Sequence, residues 1–344
     1  MNDTITFRER VLDFWQWFPT IAEKVAESLQ SGNGLDGLDF DFTAEIRERV
    51  GGLSWVFGPG ESDDRLSFTV TGEGQRARQL LSHYWLSLAV EVPKWDFYCS
   101  RQPSPPEHLA LLAIDVGGNS VDAETLMIAP EIVEKDQVVN IKAWHESFEN
   151  IPDEARFQIL YLLLDEALGE YATQTKLGDM QFNSDLDAIP LSEFPKFLED
   201  LWKEKDWEIS SPLETYSGYG AEPSSGFDRA DTIAGFTCVP NLVLSFLNQS
   251  GKLAEDPIEN SGAQHVFVQI KMEIENLDDP LAFRNDLENK ISEQIDGSGY
   301  VTGGATGTHN LYIDLVIFDG DHSKALVNKA LEDLEEPYEI KPFI

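Results

Sequence analysis

The sequence predicts an α+β fold, with an N-terminal mixed α/β body carrying small antiparallel sheets and a small C-terminal domain of strand–helix–strand–strand–helix–strand order. Three observations predict it. Apolar residues recur at three- and four-residue spacing over 6–31, 75–90 and 154–171, as on one-faced helices. Short runs such as Leu66-Ser67-Phe68-Thr69-Val70-Thr71 alternate with period two, as half-buried strands do. From Gly262 to Ile344 the two periodicities follow one another in the order just given.

The first helix is built on Phe7, Val11, Phe14, Trp15, Phe18, Ala22 and Val25, with a kink or break expected at Pro19. Ser31–Gly34 ends it, and Thr43 is the expected cap of a short helix over Ala44–Val50. Leu53–Phe57 and Leu66–Thr71 read as a hairpin, followed by a helix over Gln75–Val90 and a strand at Trp95–Cys99. Pro-rich 102–106 reads as loop. A second stretch follows, with strands at Leu126–Ile128 and Val138–Lys142 and helices over Glu154–Tyr171 and from Ser192 to Lys203. Residues 206–260 lose periodicity apart from a short helix at Leu242–Leu247, and read as an irregular segment or linker. The domains expected are therefore a 1–205 body, divisible into 1–103 and 107–205, the 206–260 segment, and a 261–344 domain. In that last domain Val266–Ile274 is a strand and Asp278-Asp279-Pro280 caps a helix over Leu281–Ile295. Gly299–Thr302 and Leu311–Phe318 are strands, a helix starts at Asp321 or Ser323, and Tyr338–Phe343 closes the pattern. This order is that of a ferredoxin-like domain.

The chain holds 62 acidic and 25 basic residues, for a net charge of −37. Affinity for phosphate backbones and anionic lipid comes from Lys and Arg, so direct nucleic-acid binding is not expected. The excess is spread along the chain; Gly262–Ile344 alone carries a net of −10. No apolar run approaches a membrane span, no secretory signal is read at Met1–Thr4, and two cysteines, Cys99 and Cys238, are too few for a disulfide framework. The cytoplasm is the expected compartment.

Few residues offer chemistry. The run Gly297–Gly307 follows a helix and lacks a Gly-Lys-Ser/Thr ending, so it reads as a glycine hairpin rather than a phosphate loop. Glu166 and Glu170 lie one turn apart and, with His145, are the candidate ligands of a carboxylate metal site. No Gly-x-Ser-x-Gly or local Cys–His arrangement occurs. Trp17 lies off the apolar stripe of the first helix, and Tyr216, Tyr219 and Phe227 lie in the irregular segment; these four are the candidate partner-binding residues.

Phe14-Trp15-Gln16-Trp17-Phe18, Leu53–Phe57, Leu66–Val70 and Val92-Pro93-Lys94-Trp95-Asp96-Phe97 together resemble a bacterial family of unknown function. Its members share a Trp-rich first helix and a strand–strand–helix–Pro-x-Trp-x-Phe order. Some look fused to a ferredoxin-like domain of the ribonuclease E regulator type. The resemblance covers residues 7–180 and implies no catalytic residue; a ribonuclease partner is suggested by the order of the C-terminal elements alone.

The sequence is thus read as a non-enzymatic, cofactor-free binding or regulatory protein that docks a basic protein partner, with the C-terminal sheet a candidate homodimer face. A metal-assisted hydrolase using Glu166, Glu170 and His145, and a small-molecule sensor built on the C-terminal domain, are the alternatives.

Overall fold

The computed structural model describes residues 5–62, 64–183, 187–271 and 279–344, and the fold is α+β. Expected strand positions Met272 and Ile274 and the cap residue Asp278 lie outside the described residues. Helix α1 (Phe7–Gln30) opens the chain on a capping box, in which Thr6 Oγ1 accepts from Glu9 N–H and the Glu9 carboxylate accepts from Thr6 N–H. Thr6→Ala is expected to destabilise the fold by about 1 kcal/mol in urea denaturation. The break expected at Pro19 is absent: α1 continues through it, its apolar face packed along its length. Helix α2 (Phe42–Arg49) starts two residues earlier than expected, because Asp41 rather than Thr43 is the cap and accepts from Ala44 N–H.

Strands β1 (Ser54–Pro59) and β2 (Leu66–Thr71) form the expected hairpin; helix α3 (Arg76–Ser87) follows, and β3 (Trp95–Tyr98) pairs with β2 in parallel. Their shared core is largely aromatic. Trp15 stacks on Trp85 at 4.8 Å between ring centroids, and Phe18 on Phe68 at 5.5 Å. Trp15 Nε1–H donates to the Trp85 carbonyl at 2.9 Å, giving a buried indole its partner.

The next stretch has its own core. It holds α4 (Pro106–Leu109), the hairpin β4 (Ala113–Val116) and β5 (Asn119–Asp122), then β6 (Met127–Val133) and β7 (Val138–Trp144). Helices α5 (Asp153–Leu168) and α6 (Glu170–Lys176) come next, then β8 (Leu177–Phe182), β9 (Ile189–Pro190) and α7 (Phe194–Lys205). The helix expected to run to Tyr171 ends at Leu168, because Gly169 takes φ +80 and starts α6. Strands order as β8-β7-β6-β9, with Val139, Ile141 and Ala143 turned toward Leu160, Leu163 and Leu164 of α5.

The segment read as irregular contains two strands, β10 (Ser217–Gly220) and β11 (Thr232–Thr237), and helix α8 (Pro240–Asn248). The C-terminal elements are β12 (Gln264–Lys271), α9 (Pro280–Gln294), β13 (Gly299–Gly307), β14 (Asn310–Ile317), α10 (Gly320–Ala330) and β15 (Tyr338–Pro342), in the predicted order. They do not make a sheet of four. The sheet has six strands in the order β10-β11-β13-β14-β12-β15, every pairing antiparallel. Period two explains why it is buried on both faces. Val266, Val268, Ile270, Leu311, Ile313 and Leu315 pack with Leu287 and Ile291 of α9 and Val327 of α10. Phe267, Tyr312, Val316 and Phe318 point to the other side, into the core that holds α1, α3 and α8; Tyr84 stacks on Phe318 at 3.9 Å.

Residues 1–99 and 212–344 form one compact unit and 100–211 the other, so a unit lies close to the expected 107–205 stretch while no boundary falls at 261. The expected 206–260 linker is sheet and helix, and the expected 261–344 domain shares its core with the N-terminal helices. The reason is the second face of β12 and β14: Phe267, Tyr312, Val316 and Phe318, on the side away from α9, are apolar and belong to the core that holds α1 and α3. Among the described residues no helix is long and apolar enough to cross a membrane.

Candidate partner-binding groove

Helix α9 is fixed at its start by Asp279, whose side chain accepts from Ala282 N–H at 3.0 Å, with Pro280 in the first turn. Leu287 and Ile291 hold one stripe of it against the sheet, beside Val327 and Leu331 from α10 and the turn after it. That turn, Leu331–Glu336, is closed by Leu334 N–H donating to the Leu331 carbonyl at 3.0 Å. Between α9 and the turn lies a groove of about 360 Å³. Phe283, Leu287, Ala330, Leu331 and Leu334 form its apolar floor, and Asp286, Asp333, Glu335 and Glu336 its rim, with Lys290 the lone cation of the lining. Lys290 Nζ is 2.7 Å from Asp286 Oδ2 and neutralises it. Among the described residues no cation lies in ion-pair range of Asp333, Glu335 or Glu336. The rim therefore keeps a surplus of negative charge over an apolar floor. Such an arrangement suits a segment with apolar side chains on one face and Lys or Arg beside them. Sequence reasoning did not single out Phe283, Leu287, Leu331 or Leu334; the signal was the acidic run Glu332-Asp333-Leu334-Glu335-Glu336 directly after an amphipathic helix.

The residues singled out from sequence lie elsewhere. Trp17 is half-buried against Phe40 and Phe42, and the Arg49 guanidinium sits 4.5 Å over its ring. Tyr216 keeps an exposed ring, while its hydroxyl donates to the Val301 carbonyl at 3.3 Å and burial of that end pushes its pKa up to about 12. Phe227 is partly buried, its ring and Cβ lying within 2.9–3.2 Å of the place a side chain on Gly251 would take. Tyr219 lies over Gly235, where an added Cβ would stand 2.6 Å from its hydroxyl oxygen. That hydroxyl accepts from Arg229 Nη2–H at 3.0 Å, and burial raises its pKa.

Glu166, Glu170 and His145 are not brought together. Glu166 accepts from Ser104 Oγ–H at 2.6 Å, and buried Glu170 from Arg101 N–H at 3.2 Å. His145 is buried where its Nδ1 accepts from Ser147 N–H at 3.1 Å; Nε2 lies 2.8 Å from Thr125 Oγ1 and 3.7 Å from Asp122. Among the described residues no group of three His, Cys, Asp or Glu side chains is placed to hold a metal ion. The Gly-rich run forms β13, where Gly303 and Gly304 admit the chain's own neighbours. A Cβ on Gly303 would meet the Phe236 carbonyl at 2.2 Å, and one on Gly304 the Glu288 carboxylate at 2.4 Å.

Sequence reasoning missed a buried polar cluster on the other face of the sheet. Arg229 is fully enclosed and ion-paired with Asp314, with its guanidinium carbon 4.9–5.3 Å from the Tyr312, Phe343 and Phe267 rings. Next to it Asp231 accepts from the Tyr312 hydroxyl, from His309 N–H at 2.8 Å and from Asn310 Nδ2–H at 3.0 Å. Burial alone would raise the Asp231 pKa; these hydrogen bonds outweigh it and hold the carboxyl below the usual range. Only the lone Arg in a Gly-Phe-Asp-Arg-Ala loop hinted at it.

Fold and groove together define an acidic α+β protein that presents an apolar groove with an anionic rim. Comparison of the chain with protein-family models, with curated proteins and with solved structures finds no match.

Proposed function

We propose that the protein is a non-enzymatic binding or regulatory protein that docks a basic protein segment in the groove between α9 and the Leu331–Glu336 turn. The observation that carries this reading is the uncompensated Asp333, Glu335 and Glu336 rim above Phe283, Leu287 and Leu331. The net charge of −37 supports it at longer range, since a partner of opposite sign is steered in before contact. Elsewhere basic side chains such as Arg49 and Lys205 are tied up in ion pairs, with Asp13 at 2.8 Å and Glu134 at 2.6 Å, so the chain attracts cationic ligands more than anionic ones.

Titrating a fluorescent Lys/Leu amphipathic peptide into the protein tests this. Affinity is expected to fall steeply as salt rises from about 0.05 to about 0.5 M, because rim charges more than roughly 10 Å from the ligand are screened. The triple reversal Asp333→Lys, Glu335→Lys, Glu336→Lys is expected to weaken binding by about tenfold or more, at about 0.2–1 kcal/mol for each exposed pair lost and more for each repulsion gained. These side chains sit on a surface turn, so circular dichroism is expected to be unchanged. Binding that ignores both salt and the reversals would place the partner elsewhere.

A further inference from the structure

We infer that strand β10 is a self-association edge, through which two copies of this chain pair antiparallel about a two-fold axis. The two edges of the six-stranded sheet differ. Edge strand β15 carries the devices that block strand addition, namely Glu339, Lys341 and Pro342, and Lys341 is further tied to Asp228 at 2.8 Å. Edge strand β10, Ser217-Gly218-Tyr219-Gly220, has no charge, no proline and no bulge in its pairing with β11. Among the described residues no strand pairs with its outer side.

Its register shows which groups face out. Ala221 N–H donates to the Ile233 carbonyl at 2.8 Å, so Ala221 lies in an inward-bonded position. Antiparallel pairs alternate, so Tyr219 and Ser217 also bond inward, while Gly218 and Gly220 turn their N–H and C=O groups to the open edge. A second β10 laid antiparallel with Tyr219 opposite Tyr219 satisfies all four groups on each copy: Gly218 exchanges two bonds with Gly220 of the other chain, and Gly220 two with its Gly218. A strand that pairs with itself in this way fits a closed two-fold dimer.

The surroundings favour a second copy over a basic partner. Neither Thr215–Ala221 nor β11 holds a charged residue, although a quarter of the chain is charged. Two molecules of net charge −37 repel everywhere except where carboxylates are missing, and a cationic partner finds nothing on this strip to pair with. The strip also exposes apolar area: Tyr216 is 46% exposed, Ile233 46% and Phe236 53%. Gly218 leaves the Phe236 ring uncovered, an added Cβ lying 3.1 Å from it.

Sedimentation equilibrium tests the proposal. The weight-average mass is expected to rise with protein concentration from the monomer's 38.6 kDa toward twice that value. The rise is expected to be larger at high salt, which screens the repulsion between copies; groove binding of a basic peptide has the opposite salt dependence, so the two readings fail independently. Gly220→Glu has room for its side chain, the nearest atom to an added Cβ being 3.8 Å away, and is expected to shift the dimer constant at least tenfold toward monomer with an unchanged circular dichroism spectrum. Amide exchange on the wild-type chain needs no variant: the Gly218 and Gly220 amides are expected to slow as concentration rises, and the β15 edge amides are not. A mass fixed at the monomer value in high salt overturns the proposal, as does a Gly220→Glu variant that still dimerises or exchange at Gly218 and Gly220 that ignores concentration.

Discussion

Arg229→Met is expected to lower the stability of the unit formed by residues 1–99 and 212–344 by about 3–5 kcal/mol, because it leaves Asp314 as an uncompensated buried charge. Asp314 is 0% exposed and Arg229 1%. The three aromatic rings around the guanidinium add to the loss, since Met offers no cation to their faces. Arg229 also holds a left-handed backbone at φ 68, a conformation that a β-carbon makes costly and that the ion pair keeps in place. Urea denaturation of Arg229→Met, Asp314→Leu and the double variant separates the contributions. The double variant is expected to be more stable than Arg229→Met alone, because it removes the orphaned charge as well. A single variant within about 0.5 kcal/mol of wild type would mean that water reaches Asp314.

The second large effect is on pH. His265 is the second residue of β12, is 5% exposed, and among the described residues neither ring nitrogen has a hydrogen-bond partner. Burial pushes its pKa down from 6.5 to about 4. Between those values the unfolded chain binds a proton that the folded chain does not, so stability falls as pH falls from about 6.5 toward 4 and is unaffected by this group above that window. At 1.36 kcal/mol per pKa unit the loss is on the order of 3 kcal/mol. His265→Leu is expected to remove this slope while leaving the separate loss below about pH 4, where Asp231 and other carboxylates with lowered pKa values are protonated. Urea midpoints at several pH values between about 7 and 4 measure it; parallel slopes for wild type and variant would exclude His265 as the titrating group.

The elements were legible wherever one periodicity ran long enough. Helices α1, α3, α5 and α9 and strands β2, β12 and β14 stand within a few residues of expectation. What failed was locality. Strands β10 and β11 are glycine-rich and carry no alternation, because Gly218 makes room for Phe236 and Gly235 for Tyr219 across the pair, and a missing Cβ leaves no pattern to read. The division of the chain failed for a related reason. Phe267, Tyr312 and Phe318 are as apolar as the helix-facing residues of the same strands, so nothing in β12 or β14 says that the second face is covered by residues some 250 positions earlier. The groove was half legible: its charge was plain in 332–336, but its floor looks like any helix core until the turn after α10 is seen to leave Phe283, Ala330 and Leu334 partly exposed.

The shared core has a consequence in time. Phe7 N–H donates to the Gly262 carbonyl and Arg8 N–H to that of Phe318, while Phe343 packs on Phe246 and Phe267 in the same cluster. Nascent chain elongates at roughly 5–20 residues per second, so α1 waits on the order of 15–60 s for the strands that cover it. The 100–211 stretch closes its own core from neighbouring residues and is free to fold while the rest is still being made. During that interval Trp15 and Phe18 can already pack on Phe68, Trp85 and Trp95, while Phe7 still lacks Phe318, and the negative charge of the emerging chain opposes association through that uncovered end.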